Sequence, residues 1–260
     1  MNNQQNDDMD RQTLNVAFAT QKGGSGKTAI TVLVAGYLHY RLGCPLAVID
    51  CDFPQYSIHD MRQRDMDASM NDDYYKVLAY EQFKRLKKKA YPIVCSKPEQ
   101  APEAARKLVK KGEALDFIFF DLPGTINNPG IVNTLAAMDY IFTPMSADKA
   151  VMRSSLKFAS VINEHLITTG KTHIKGLYLL WNMVDGREKT DLYEIYEKIC
   201  DEMALTVMKT SLPDSKRFRK ETATERKAVF RSTLFPADKT LIRGSNLNKL
   251  VEEILTIIRK

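Results

Sequence analysis

Thr20-Gln21-Lys22-Gly23-Gly24-Ser25-Gly26-Lys27-Thr28 follows the apolar run Leu14, Val16, Phe18, Ala19 and precedes a mainly apolar segment over 27–42 that closes at Gly43. The run reads as a buried strand and the segment after it, by its length, as a helix. A glycine cluster at such a junction lets backbone N–H groups converge on phosphate oxygens, because no Cβ blocks close approach and the helix N-terminus adds positive potential. In that reading Lys27 reaches the β- and γ-phosphates of a nucleotide and the Thr28 hydroxyl ligates Mg²⁺. A plain glycine turn is the competing reading. Residue types and the strand-to-helix setting together favour the phosphate loop.

Leu46-Ala47-Val48-Ile49 is a second buried strand that stops at Asp50. Further strands are expected over 91–95, 116–120, 140–143 and 174–181 and near Val207, with helices over 72–90, 98–111, 129–138, 147–167, 191–203 and 246–259. Within 72–90, Tyr75, Leu78, Phe83, Leu86 and Ala90 share one face, and the lysines lie mostly on the other. Strands and helices alternating this regularly predict an α/β fold, a doubly wound and mostly parallel sheet with helices on both faces. A single domain is expected over 13–260, after a disordered polar tail over 1–12.

The chain has 260 residues, 44% hydrophobic and 27% charged, which excludes wholesale disorder and a fibrous architecture. No run of about 18 apolar residues offers a membrane span. The first ten residues carry Asp, Asn and Gln where a secretory signal needs basic and then apolar residues, so a cytoplasmic location is expected. Cys44, Cys51, Cys95 and Cys200 form no C-x-x-C pair and are expected to be buried, reduced thiols. The net charge of +6 is unevenly spread: residues 84–111 carry +8 and residues 209–231 carry +5, so the rest of the chain is net negative. Such segregation suggests contact with a polyanion.

In the loop, Gln21 stands where the first glycine of G-x-x-x-x-G-K-[ST] would fall, and Lys22 follows it. This K-G-G-x-G-K-T form resembles the deviant phosphate loop of the ParA/MinD family of ATPases. Ile49-Asp50-Cys51-Asp52-Phe53-Pro54-Gln55 is similar to that family's D-x-D-P-Q segment, with Phe53 inserted before the proline. Phe117-Ile118-Phe119-Phe120-Asp121-Leu122-Pro123-Gly124 is similar to its D-x-P-P motif, with Gly124 replacing the second proline. The segment ending at Asn182 resembles the strand that helps hold adenine, and Ser211-Leu212-Pro213-Asp214 the loop across the base.

The resemblance implies ATP or ADP with Mg²⁺, bound by Lys22, Gly23, Gly24, Ser25, Gly26, Lys27, Thr28 and Ala29, with Asn182, Leu212, Pro213 and Asp214 around the base. It implies Asp121 and Asp50 with Thr28 in the metal shell, Asp52 positioning the attacking water, and Lys22 crossing an ATP-dependent homodimer to the partner's nucleotide. It further implies nonspecific DNA binding, for which Lys216, Arg217, Arg219, Lys220, Arg226, Lys227 and Arg231 are the candidate surface. Lys84 to Lys89 read instead as the solvated face of an amphipathic helix.

A nucleoid-associated ATPase that segregates a plasmid or conjugative element, helped by a partition-site-binding or transfer-associated protein, is the expected role, with closest likeness to ParA-like proteins of conjugative transposons. A nucleotide-gated scaffold or co-repressor is the alternative. The apolar stripe of 246–259 is explained by docking on the sheet, so no membrane attachment is expected. The cysteines lack the glycine-rich setting of a bridging iron–sulfur cluster.

Overall fold

The computed structural model describes residues 12–110, 114–126, 128–187, 190–222 and 228–259. Strands β1 (Leu14–Phe18), β2 (Leu46–Asp50), β3 (Ile93–Cys95), β4 (Phe117–Asp121), β5 (Tyr140–Met145), β6 (Gly176–Trp181) and β7 (Thr206–Val207) form one sheet in the order β3-β2-β4-β1-β5-β6-β7. Every pairing is parallel. Helices cover both faces, which is why β2, β4 and β5 are buried along their whole length and read as unbroken apolar runs.

Alternate residues of β1 face opposite layers. Val16 and Phe18 join the core formed with α1 (Lys27–Tyr40) and α9 (Leu247–Ile258). Ala17 and Ala19 join the core formed with α4 (Ala101–Lys110), α5 (Pro129–Ala136) and α6 (Lys149–Ile162). Helix α1 buries eleven of its fourteen residues, and this burial outweighs the weak helix preference of Ile30, Thr31, Val32 and Val34. The chain closes through α7 (Thr190–Glu202) and the short α8 (Lys239–Ile242) before α9. The polar tail expected over 1–12 lies outside the described residues except for its last member.

Two helices, α2 (Ser57–Asn71) and α3 (Asp73–Leu86), occupy the stretch after β2 in which the sequence predicts only a helix over 72–90. Only Ile58, Met61 and Asp65 are buried on α2, and the aspartate breaks the apolar stripe that would have revealed the helix. Asp65 Oδ2 accepts hydrogen bonds from Ser232 Oγ at 2.8 Å, Thr233 N at 2.7 Å and Thr233 Oγ1 at 2.8 Å. Its Oδ1 accepts from Thr222 Oγ1 at 3.1 Å. Burial pushes the Asp65 carboxyl above its ordinary value, and these donors act against that rise.

The expectation of buried thiols needs correcting. Cys51 and Cys200 are buried, whereas Cys44 is half-buried and Cys95 is exposed at the end of the short β3. A three-residue strand at the sheet edge has no neighbouring strand beyond it to cover its last side chain.

Because a carboxylate only accepts, Asp65→Asn sets an amide N–H₂ against groups that themselves donate. The variant is expected to lose about 2 kcal/mol or more of stability, read as a lowered urea midpoint. An unchanged midpoint would show that α2 does not depend on this anchor.

Candidate nucleotide site

The loop leaves β1 at the centre of the sheet, between the C-terminal ends of β4 and β5, where open α/β sheets place their ligands. Gly26 sits at φ 87° immediately before α1, a conformation that side chains other than glycine rarely adopt. A Cβ there would also lie 2.5 Å from Asn182 Nδ2. That same Asn182 Nδ2 donates to the Ser25 carbonyl at 2.8 Å, so the end of β6 braces the loop. Lys27 is buried and its Nζ donates to the Lys22 carbonyl at 3.1 Å. Burial pulls its pKa down, while Asp121 and then Asp52 act in the opposite direction.

Asp121 closes the other side. Its Oδ2 accepts from Thr28 Oγ1 at 2.8 Å, and its buried Oδ1 has no hydrogen-bond partner. Burial pushes this carboxyl up to about 7 against the Thr28 hydrogen bond. An unpaired carboxylate oxygen beside a threonine hydroxyl is the donor set that Mg²⁺ takes when phosphates and water complete six ligands. Among the described residues no group of three or more His, Cys, Asp or Glu is arranged to hold a metal by itself.

Asp50, expected in the metal shell, has both oxygens engaged by backbone. Oδ1 accepts from Asp52 N at 3.2 Å, and Oδ2 accepts from Ile58 N at 2.9 Å and His59 N at 3.0 Å. It therefore caps the first turn of α2 from a distance in sequence, because Tyr56 at the N-cap makes no side-chain cap. Asp52 is half-buried, with Oδ2 accepting from Ser57 Oγ at 3.2 Å.

Gly24, Gly26, Lys27, Thr28 and Ala29 line a cleft of about 320 Å³ whose far wall is Asn182, Met183, Pro213, Asp214, Ser215 and Phe218. The two rim segments are tied together, since Val184 N donates to Leu212 O at 3.0 Å and Asp214 N to Val184 O at 2.9 Å. Leu212, expected beside the base, is buried in the core and reaches the rim only through its backbone. Sequence reasoning missed Met183 and Phe218 as wall residues. The aromatic within the basic run Lys216-Arg217-Phe218-Arg219 was the available signal.

The expected DNA surface divides. Arg217 donates through Nη1 to the carbonyls of Leu241, at 3.0 Å, and Arg243, and through Nε to Ser215 Oγ at 3.0 Å. Its guanidinium is spent closing the end of α8 and has little left for phosphates. Arg231 pairs with Glu221 and lines the cleft together with Arg219. Lys216 and Arg219 are exposed, and Lys220 is half-buried. Arg226 and Lys227 lie outside the described residues. A basic stripe that the charge windows did not isolate lies on α6. Lys149, Arg153 and Lys157 recur every four residues and line, with Gln21, a cleft of about 570 Å³.

Lys22 is 43% exposed, and its Nζ is 3.9 Å from Asp148 Oδ1. Behind it, a Cβ on Gly124 would stand 3.0 Å from Gly23 N and from Lys22 C, and 3.1 Å from Lys22 O. Backbone packs here on backbone, which explains why a glycine replaces the proline of the D-x-P-P pattern.

Architecture and loop define the class, a P-loop nucleotide-binding protein of the ParA/MinD type. The chain belongs to the CobQ/CobB/MinD/ParA nucleotide-binding domain family, which matches residues 16–228. It is similar in fold to the cell division ATPase MinD of Pyrococcus furiosus, with a TM-score of 0.59 and 20% identity over 95% of this chain and 100% of that one. It is similar also to a plasmid partition protein of Borrelia burgdorferi bound to AMPPNP, with a TM-score of 0.59 and 16% identity over 95% and 98% of the two chains. MinD of Pyrococcus horikoshii complexed with Mg-ADP gives 0.56 and 19%, over 96% and 99%. Among curated protein sequences, none matches.

Two outcomes follow from this geometry. A proton on Asp121 occupies an oxygen that the metal needs, so Mg²⁺ affinity in the presence of ADP is expected to fall about tenfold per pH unit below about 7. Asp121→Asn should flatten that profile in calorimetric titration. Gly124→Ala presses on the backbone of Lys22 and Gly23, and none of the three atoms nearest the new Cβ belongs to Lys27 or Thr28. Its nucleotide affinity should stay within about threefold while turnover falls by at least about tenfold, a split expected of a residue that positions the loop.

Proposed function

We propose that the chain is a Mg²⁺-dependent ATPase that works as an ATP-bound homodimer on DNA of any sequence. In this reading it segregates or positions a plasmid or conjugative element. The carrying observation is the contrast between two lysines of one loop. Lys27 is buried against Asp121, whereas Lys22 stands at the loop edge with a long contact to an exposed aspartate. A buried cation serves the nucleotide of its own chain, and an exposed one beside the phosphates suits the nucleotide of a facing chain.

Thr28 and Asp121 would hold Mg²⁺, which when bound supplies charge neutralisation across the β- and γ-phosphates. Lys27 and the N–H groups of Gly23, Gly24, Ser25 and Gly26 cradle the phosphates. Asp52, steadied by Ser57, orients the attacking water. Lys22 from the facing subunit offsets repulsion between two triphosphates and stabilises the charge that develops in transfer. Asn182 braces the loop, while Pro213 and Asp214 bound the base.

For DNA, the exposed Lys216 and Arg219 with Lys220 supply phosphate contacts, and Arg226 and Lys227 belong to the same segment. Arg217 and Arg231 hold that segment in shape. The α6 stripe adds Lys149, Arg153 and Lys157. Contacts of this kind carry no base information. Turnover is slow until a partition-site-binding or transfer-associated protein stimulates it, and release of the DNA follows. A location on the nucleoid in the cytoplasm follows from that DNA contact. No described helix is long and apolar enough to cross a membrane.

The test compares wild type with Lys22→Ala in light scattering and DNA binding. Wild type with ATP and Mg²⁺ should dimerise and hold duplex DNA with a slope of log K on log salt near −5, for about six phosphate contacts. Lys22→Ala should bind nucleotide, remain monomeric and show about half that slope. A variant that dimerises like wild type removes the in-trans role, and DNA affinity insensitive to salt or equal with ADP returns the chain to a nucleotide-gated scaffold.

A further inference from the structure

At the opposite end of α1 from the phosphate loop, about 20 Å away for a helix of this length, a second cleft of about 520 Å³ lies between α3 and residues 229–239. Its basic groups are Arg41, Arg85 and Lys239, and none of them forms an ion pair among the described residues. Of the two acids on the wall, Asp238 is occupied as the cap of α8, its Oδ1 accepting from Thr240 N at 2.7 Å. Asp238 also interacts with Arg41, so three cations face two acids and the cleft carries one positive charge in excess.

Two buried polar atoms here are unspent. Gln82 is 5% exposed and lines the cleft; its Nε2 donates to Leu234 O at 2.7 Å, which leaves Oε1 buried with no hydrogen-bond partner. Arg41 Nη2 donates to Ala237 O, and its Nε is likewise buried and unpaired. A buried acceptor left without a donor typically costs about 1–3 kcal/mol, a cost that a ligand donating to it would relieve. Leu78, Val229 and Pro236 give the same cleft an apolar wall.

We propose that this cleft is a second binding site, for a small organic phosphate monoester. The anionic head would lie among Arg41, Arg85 and Lys239, an N–H or O–H on its body would donate to Gln82 Oε1, and a flat ring would rest on Leu78 and Pro236. The volume is within the range of small-molecule sites, about 300–1,000 Å³. Guanidinium groups suit a phosphate because they present paired N–H donors in one plane. A free phosphate would satisfy the cations and leave Gln82 Oε1 unmet, and this separates the two sources of the same charge.

The full chain is held in saturating Mg²⁺-ADP, so that the phosphate loop is filled, and titrated calorimetrically with inorganic phosphate and with cytidine 5′-monophosphate. The monophosphate should saturate and bind at least about tenfold more tightly than phosphate, the value of roughly one buried hydrogen bond. Arg85→Gln changes an exposed residue and should weaken both probes at least about fivefold with ATP turnover unaltered. Gln82→Leu should bring the monophosphate down to the affinity of phosphate. Absence of saturable binding by the monophosphate, equal affinity for both probes in wild type, or unaltered affinities in Arg85→Gln would each overturn the site.

Discussion

Desolvation of two opposite charges at the C-terminal edge of the sheet's central strands is the constraint on which the remaining structure depends. Lys27 and Asp121 are both buried, and burial penalises the ionised form of each. Their mutual attraction is only part of the compensation, because Asp121 keeps one oxygen without a partner. A phosphate for the lysine and a divalent cation for the carboxylate, as in the proposed function, would complete what the protein leaves open. Seven parallel strands with apolar layers on both sides hold the two groups in place while that deficit stands.

The same edge controls the segment after β2. Asp50 accepts two N–H groups at the start of α2, and Asp52 and Ser57 lie in the turn between. Further along α2, Asp65 anchors to Ser232 and Thr233, and Arg64 pairs with Glu221, which also holds Arg231 in the cleft wall. One helix thus joins the turn that holds Asp52 to Glu221 and Arg231. Because Asp65 is buried and cannot exchange its donors for water without cost, α2 is held to Thr222, Ser232 and Thr233.

What was legible in the sequence followed the sheet. Strands buried on both faces read as apolar runs, and the phosphate loop read from spacing alone, so fold class and loop were accessible. Features that depend on side chains meeting across the chain were not. Helix α2 hides behind a buried aspartate whose partners lie more than 150 residues away. Arg217 looks like any member of a basic run until its guanidinium is found on the carbonyls of Leu241 and Arg243. Leu212 and Asp50 were assigned to the site by motif, yet one is core and the other a helix cap. Charge windows sum residues in sequence, and so they passed over Lys149, Arg153 and Lys157, which align only on a helix.

The two lysines of the loop differ sharply in exposure. Lys27 is buried, with its Nζ on the Lys22 carbonyl and its charge facing Asp121 and Asp52. Lys22 has only an ion pair at 3.9 Å to Asp148, a residue whose Oδ1 is already engaged by Ala150 N at 3.0 Å and Val151 N at 2.9 Å. An exposed pair of that length contributes about 0–1 kcal/mol, less than one charge-assisted hydrogen bond to a phosphate returns. Lys22 can therefore leave its position at little cost, and the glycine at 124 lets its backbone sit close enough to the loop for the side chain to reach outward. A side chain at 124 would press on the Gly23 N–H and the Lys22 carbonyl, and so shift this lysine together with the loop edge that carries it.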